Sequence, residues 1–151
     1  MKYSRSPLVI KSFAKVNLYL QVLNKRKDNF HNLKTLFARI SLADTIILKN
    51  VQSNAIRIKC DNPGVPQDKT NLCWRAAALL RKEVKLENHG LEIEIKKRIP
   101  IGAGLGGGSA NAASVLLGLN RYWNLNLSKT KLLNLAAQLG SDIPFFIQDT
   151  K

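Results

Sequence analysis

The chain is poor in cysteine, histidine and acidic residues, and each shortage removes a class of explanation. Its two cysteines, Cys60 and Cys73, form no C-x-x-C and have no nearby histidine. Neither a disulfide framework nor a thiolate metal site is expected, and both are read as ordinary reduced residues. His31 and His89 are the only histidines, so a zinc site of the His/Cys type is not expected and no metal ligand is assigned. Long apolar runs are missing from the amino terminus, MKYSRSPLVIKSFAK, where lysines and an arginine interrupt the hydrophobic residues. Neither a secretory segment nor a membrane span is expected, which predicts a cytoplasmic protein with no membrane partner. Ten acidic residues face 24 lysines and arginines, a net charge of +14. That imbalance points to an anionic partner, either nucleic acid or a phosphorylated metabolite, or to a lysine-rich solvated surface.

Other features are ordinary for a folded domain. At 151 residues with 45% hydrophobic and 23% charged residues, the chain fits one globular unit, residues 1–151. From Leu8 to Leu23 the pattern alternates, with Leu18, Leu20 and Val22 on one face and Asn17, Tyr19 and Gln21 on the other. This predicts a half-buried strand or strand pair. KRKDNFHN, 25–32, reads as a turn in which Asp28-Asn29 supplies a left-handed conformation. Leu36 to Ser41, Thr45 to Val51 and Ala55 to Lys59 are three further strands, separated by Asp, Asn and Ser. Asn71 caps a helix over LCWRAAALLRKE, and Leu91 to Ile99 alternates as a strand that runs into a glycine cluster. A helix from about Ala110 to Trp123 follows, then a helix capped by Ser128 and closed by Gly140. SDIPFFIQ predicts a last strand. The order describes an α+β domain with helices on one face of a sheet.

The glycine cluster, PIGAGLGGGSANAA, spans Pro100 to Ala113. Gly102, Gly104 and Gly107 match G-x-G-x-x-G, but no acidic residue lies between Glu94 and Asp142 to hold a ribose, as a dinucleotide-binding unit requires. Gly107-Gly108-Ser109 also lacks the lysine of a Walker loop. What remains is a general anion cradle. Gly102, Gly104, Gly106, Gly107 and Gly108 let backbone N–H groups approach a phosphate, Ser109 adds a hydroxyl, and the following helix presents its positive end. Lys96, Lys97 and Arg98 stand just upstream, and a plain turn before a helix is the competing reading. Gly118, inside the helix, reads as a packing glycine.

A bound triphosphate would need a carboxylate to accept a proton from the attacking hydroxyl, and cations to hold spreading negative charge. Asp142 sits at a constrained junction before Ile143-Pro144, where it serves either as that carboxylate or as a turn-capping residue. Lys15 and Asn17, two apart on a predicted strand, project from one face; an edge-strand lysine is the plainer reading. Phe30-His31 offers a ring and a directional hydrogen-bonding group, suited to a planar base or to partial burial in a core.

These residues together resemble the GHMP kinases, whose signature loop P-x-G-x-G-L-G-x-S corresponds to the stretch beginning at Pro100. Three blocks carry the resemblance: AKVNLYLQVLNKRKDNFHNLKTLF, KKRIPIGAGLGGGSANAA and LGSDIPFFI. They are most similar to the branch acting on a cytidine-diphosphate-linked alcohol in non-mevalonate isoprenoid synthesis. The resemblance implies a ribosomal protein S5 domain 2-like α+β fold and ATP as cosubstrate, with magnesium accompanying the triphosphate. It further implies that Asp142 is the general base, Lys15 its cationic partner and Asn17 a substrate-positioning residue. His31 would bond the cytosine edge and Phe30 would stack on its ring. Pro100, Gly102, Ala103, Gly104, Leu105, Gly106, Gly107, Gly108 and Ser109 would wrap the phosphates, with Lys97 and Asn111 close by and Asn71 and Leu72 near the adenine. Asp28-Asn29-Phe30-His31 departs from the family's D-G-Y-H, yet Asn tolerates a left-handed turn and Phe keeps the ring. Members of the family are roughly twice as long and carry a second lobe, so this chain corresponds to the amino-terminal, ATP-binding part. The competing expectations are a kinase of the same family for another small alcohol, and a basic RNA-binding module. The order of Lys15, His31, loop and Asp142 disfavours the module.

Overall fold

The computed structural model describes residues 6–25, 27, 29 and 31–148. Four strands form one mixed sheet: β1 (Leu8–Lys25), β2 (His31–Val51), β3 (Ile56–Cys60) and β4 (Gly90–Lys96), in the order β1-β2-β4-β3. β1 and β4 each pair antiparallel with β2, and β3 runs parallel to β4. Four helices follow from the intervening and later segments: α1 (Leu72–Glu83), α2 (Gly107–Tyr122), α3 (Lys129–Leu139) and α4 (Ile143–Gln148).

The period of two in the strands decides which face is covered. Ile46 and Leu48 of β2 stand beside Ile95 and Ile93 of β4, and Ile58 of β3 beside Ile93; all five are buried, against Ala76 and Leu80 of α1 and Ala112, Leu116 and Leu119 of α2. The opposite face carries charge. Glu92 meets Lys59 at 2.8 Å and Lys49 at 3.7 Å, and Glu94 meets Lys49 at 3.3 Å. Helix α2 lies tight on the sheet because residue 118 is glycine: a Cβ there would collide with Ile10 and Leu48.

The helix caps follow the sequence expectation. Asn71 accepts from the Cys73 N–H at 2.8 Å and Ser128 from the Lys131 N–H at 3.2 Å. Gly140 does terminate α3, but in extended rather than left-handed backbone (φ 170°). Asn29 takes the left-handed conformation expected of the turn (φ 66°), whereas Asp28 lies outside the described residues.

Several local expectations are overturned. The two strands expected at Leu36–Ser41 and Thr45–Val51 are one, because Asp44 does not interrupt them. Its carboxylate is fully buried and satisfied by groups from the segment after β4. Leu18, Leu20 and Val22, expected on a buried face, are 66%, 54% and 60% exposed. Past Asn17, β1 pairs with the start of β2, while β4 reaches β2 only from Thr45 onward. This arm therefore projects beyond the region where the helices cover the sheet. SDIPFFIQ is not a strand: it contains α4, with Ile143, Phe146 and Ile147 buried at helical spacing. Pro144 is compatible with the first turn, where a missing N–H breaks no helical bond. Finally, β4 ends at Lys96 rather than Ile99, and α2 begins at Gly107 rather than Ala110.

Candidate functional site

Between β4 and α2 the backbone turns through three glycines of positive φ: Gly102 (74°), Gly104 (73°) and Gly106 (68°). Gly106 is the N-cap of α2, so no side chain caps that helix end. The first intrahelical bond comes from Ala110 N–H to the Gly106 carbonyl at 2.8 Å. The amides of Gly107, Gly108 and Ser109 are thus the orphan donors of the helix start, and the helix dipole adds positive potential there. They line a cavity of about 410 Å³ together with Pro100, Ala103, Leu105, Leu72, Lys97 and Asn111. Val65 and Pro66 add an apolar wall from the loop before α1.

Two residues of the cavity wall have settled roles within the protein. Asn71 accepts from Cys73 N–H and donates from Nδ2 to the Pro66 carbonyl at 2.6 Å, so it shapes the wall with its amide already engaged. Lys97 is buried against Asp44, Nζ to Oδ2 at 2.5 Å, and its Nζ stands 3.2 Å from where a Cβ on Gly107 would lie. Asn111, by contrast, is 3% exposed and its Oδ1 has no hydrogen-bond partner among the described residues. An orphaned polar atom on a cavity wall is the kind of group a ligand or water satisfies.

A second cluster adjoins the loop. Lys15 donates from its backbone N–H to the Leu105 carbonyl at 3.0 Å, tying β1 to the glycine segment. Its Nζ lies 2.7 Å from Asn17 Oδ1 and 3.7 Å from Asp142 Oδ2. The stem passes close to Gly106, where a Cβ would stand 3.1 Å from Lys15 Cγ and 3.0 Å from Phe146 Cζ. The ammonium also sits over the Phe37 ring, 4.5 Å from its centroid, a cation–π contact. Asn17 is oriented in turn by Thr35, whose Oγ1 accepts from Asn17 Nδ2 at 2.9 Å and donates to the Tyr19 carbonyl at 2.9 Å. Asp142 immediately precedes α4, and Arg39 donates to the Phe146 carbonyl at 3.3 Å, holding that helix to β2. Lys15 is buried while the Asp142 side chain is 39% exposed, so the carboxylate faces an open approach beside a fixed cation.

The fold thus brings Lys15, Asn17 and Asp142 together at the edge of the glycine loop. His31 is not brought there. Lys15 pairs with Arg39 while His31 begins β2, and eight residues of strand correspond to roughly 25 Å. Phe30 lies outside the described residues. Phe37, Thr35, Val65 and Pro66 escaped sequence reasoning: a phenylalanine, a threonine and an apolar loop carry no chemical signature until the sheet places them. Among the described residues no group of three or more His, Cys, Asp or Glu could hold a metal ion, and no helix is long and apolar enough to cross a membrane.

Residues 71–149 match the family described as GHMP kinases N terminal domain. The chain is 46% identical over 144 residues to a 4-diphosphocytidyl-2-C-methyl-D-erythritol kinase of Chlorobium phaeovibrioides, covering 95% of this chain and 48% of that protein. It is 50% identical over 135 residues to a protein of the same name from a Synechococcus strain, covering 89% and 43%. It therefore spans about half the length of the curated relatives it matches. A crystal structure of 4-(cytidine 5'-diphospho)-2C-methyl-D-erythritol kinase superposes with TM-score 0.76 at 40% identity, over 93% of this chain and 49% of the other. Mevalonate kinase of Methanococcus jannaschii shares the fold at TM-score 0.66 and 18% identity, over 94% and 48% of the two chains.

Proposed function

The chain belongs to the GHMP kinase family, and from that premise we propose that it forms the ATP-binding half of a kinase for 4-diphosphocytidyl-2-C-methyl-D-erythritol. The observation that carries the proposal is the 3.7 Å approach of Lys15 Nζ to Asp142 Oδ2 beside the glycine loop. In this reading the amides of Gly107, Gly108 and Ser109 and the positive end of α2 hold the triphosphate. Leu72, Val65 and Pro66 offer an apolar wall for the adenine, and Asn111 supplies a polar group inside the cavity.

Asp142 accepts the proton of the substrate's 2-hydroxyl as that oxygen bonds to the γ-phosphorus and the bond from the γ-phosphorus to the β,γ-bridging oxygen breaks, releasing ADP. Lys15, fixed by Asn17, Phe37 and the Leu105 carbonyl, keeps that carboxylate paired and stabilises the oxygen's developing negative charge. Magnesium would be held chiefly by phosphate oxygens and water, since such ions take few protein ligands at phosphate sites; it would neutralise charge on the transferring group. Phe30 and His31 are assigned to the cytosine ring, which requires the β1–β2 arm to approach the cavity in the substrate complex.

The test is ATP-dependent phosphorylation of the diphosphocytidyl substrate by this chain and by a full-length version. Turnover by the full-length protein that Asp142→Ala abolishes supports the reading. Lack of turnover in the full-length protein, or equal turnover in the variant, refutes it. Preference for homoserine, mevalonate or a sugar would move the assignment within the same family.

A further inference from the structure

At Lys96 the fourth strand leaves the sheet, and the next three residues lead directly into the glycine loop. Their successive amides have no ladder to enter, and buried N–H groups without partners are strongly disfavoured. Two carboxylates receive them. Asp61 Oδ1 accepts from Lys97 N–H at 2.8 Å, and Asp44 Oδ1 accepts from Arg98 N–H at 2.6 Å and Ile99 N–H at 2.8 Å. The other oxygen of Asp44, Oδ2, pairs with the Lys97 ammonium.

Asp44 is unusual in where it stands. It lies mid-strand in β2, on the element between β1 and β4, and is completely buried. A carboxylate there is unfavourable unless every lone-pair direction that matters is satisfied. Its partners all belong to one short segment, and the Lys97 side chain it holds reaches the first turn of α2 beside Gly107. One aspartate therefore joins two parts of the cavity: the root of the loop, through Oδ1, and the cation under the helix start, through Oδ2.

We infer that Asp44 is a positioning residue of the nucleotide site, which sets the root of the glycine loop and holds Lys97 at the amino end of α2. The inference rests on the nucleotide reading of that cavity. Asp44 touches no ligand in this scheme and acts through Lys97 and the 98–99 backbone. The two oxygens have separable duties. Asp44→Asn can keep an acceptor for Arg98 and Ile99, but its amide nitrogen cannot accept from an ammonium. Asp44→Ala removes both connections.

The experiment combines hydrogen exchange with binding of a non-hydrolysable ATP analogue, on the wild-type chain and on Asp44→Asn, Asp44→Ala, Lys97→Met and the Asp44→Asn/Lys97→Met double variant. Expected are at least about tenfold faster exchange over 98–106 in Asp44→Ala, with β1 and α3 unchanged, and near-normal protection in Asp44→Asn. Asp44→Asn should weaken the analogue about tenfold, with Lys97→Met similar and the double variant no worse than either, because both break one connection. Independent, additive losses, or normal affinity in Asp44→Asn, would overturn the role through Lys97. Should Asp44→Ala fail to fold, faster exchange at 98–106 in the double variant relative to Lys97→Met would count against an Oδ1 anchor that asparagine can replace. If the wild-type chain does not bind the analogue, the nucleotide reading fails and with it the positioning role, while unaltered exchange in a folded Asp44→Ala would overturn the anchor alone.

Discussion

The Lys15 ammonium stands 3.7 Å from the Asp142 carboxylate, although one residue lies on the first strand and the other just before the last helix. Neither element touches the other by sequence proximity. Lys15 is fixed by its backbone bond to Leu105, its contact with Asn17 and the ring of Phe37, and Asp142 by the docking of α4. One partner is buried and the other partly open, so the cation is held in place beside a carboxylate that is open to solvent.

Removing either member should stop phosphoryl transfer without emptying the cavity. In the full-length protein, Asp142→Asn and Lys15→Met are each expected to lower turnover by roughly 10²–10⁴-fold, the usual worth of a positioned proton acceptor and its electrostatic partner. Affinity for an ATP analogue should change by no more than about twofold in Asp142→Asn. Steady-state kinetics with calorimetric binding checks this, and an equal loss in both quantities would contradict the division of labour.

Gly106 and Gly102 should respond differently to alanine. Both adopt positive φ, which disfavours a side chain by roughly 1–2 kcal/mol. At Gly102 nothing lies within 4 Å of the new Cβ, whereas at Gly106 it meets Phe146 Cζ at 3.0 Å and Lys15 Cγ at 3.1 Å. Gly102→Ala is therefore expected to show the backbone effect alone. Gly106→Ala should destabilise further and disturb Lys15, visible as a lower midpoint in thermal unfolding and a lower turnover.

The charged face of the sheet predicts an acid limb. The Lys59 ammonium bonded to Glu92 holds that carboxyl below the usual carboxylate range, with Lys49 and Arg57 adding to the effect and burial opposing it. A carboxyl with a depressed folded-state pKa stabilises the protein above its unfolded value, about 4.3, and loses that contribution as pH falls through the folded value. Glu92→Gln should be less stable than wild type near neutrality, and the difference should shrink as pH is lowered from about 6 to about 3. Denaturant unfolding at several pH values checks it; a constant difference would contradict the ion pairing.

The two cysteines should differ in reactivity. Burial pushes the Cys73 thiol up to about 12, and Cys60, only partly buried, is raised as well, chiefly by desolvation. A thiol-specific reagent at mildly alkaline pH should label Cys60 slowly and Cys73 only on unfolding, because the thiolate is the reacting species. Peptide mapping of the labelled protein distinguishes them, and rapid native labelling of Cys73 would contradict its burial.

Much of this protein was determined by local sequence. The cap residues Asn71 and Ser128, the left-handed Asn29 turn and the glycine loop opening a helix all depend on interactions within a few residues, and spacing reveals them. So do the strand periods that bury Ile46, Leu48, Ile93 and Ile95. What only the tertiary structure decided is which alternating face is covered and which polar residue is internal. Leu18, Leu20 and Val22 look like a core face but lie where no helix reaches. Asp44 looks like a strand breaker but is held inside the sheet by partners beyond β4. The apolar run after Asp142 becomes a helix because Ile143, Phe146 and Ile147 find a common wall. Phe37 and Thr35 gain a connection to Lys15 and Asn17 only through the β1–β2 register. These outcomes depend on contacts between residues far apart in the chain, whose geometry no window of local sequence contains.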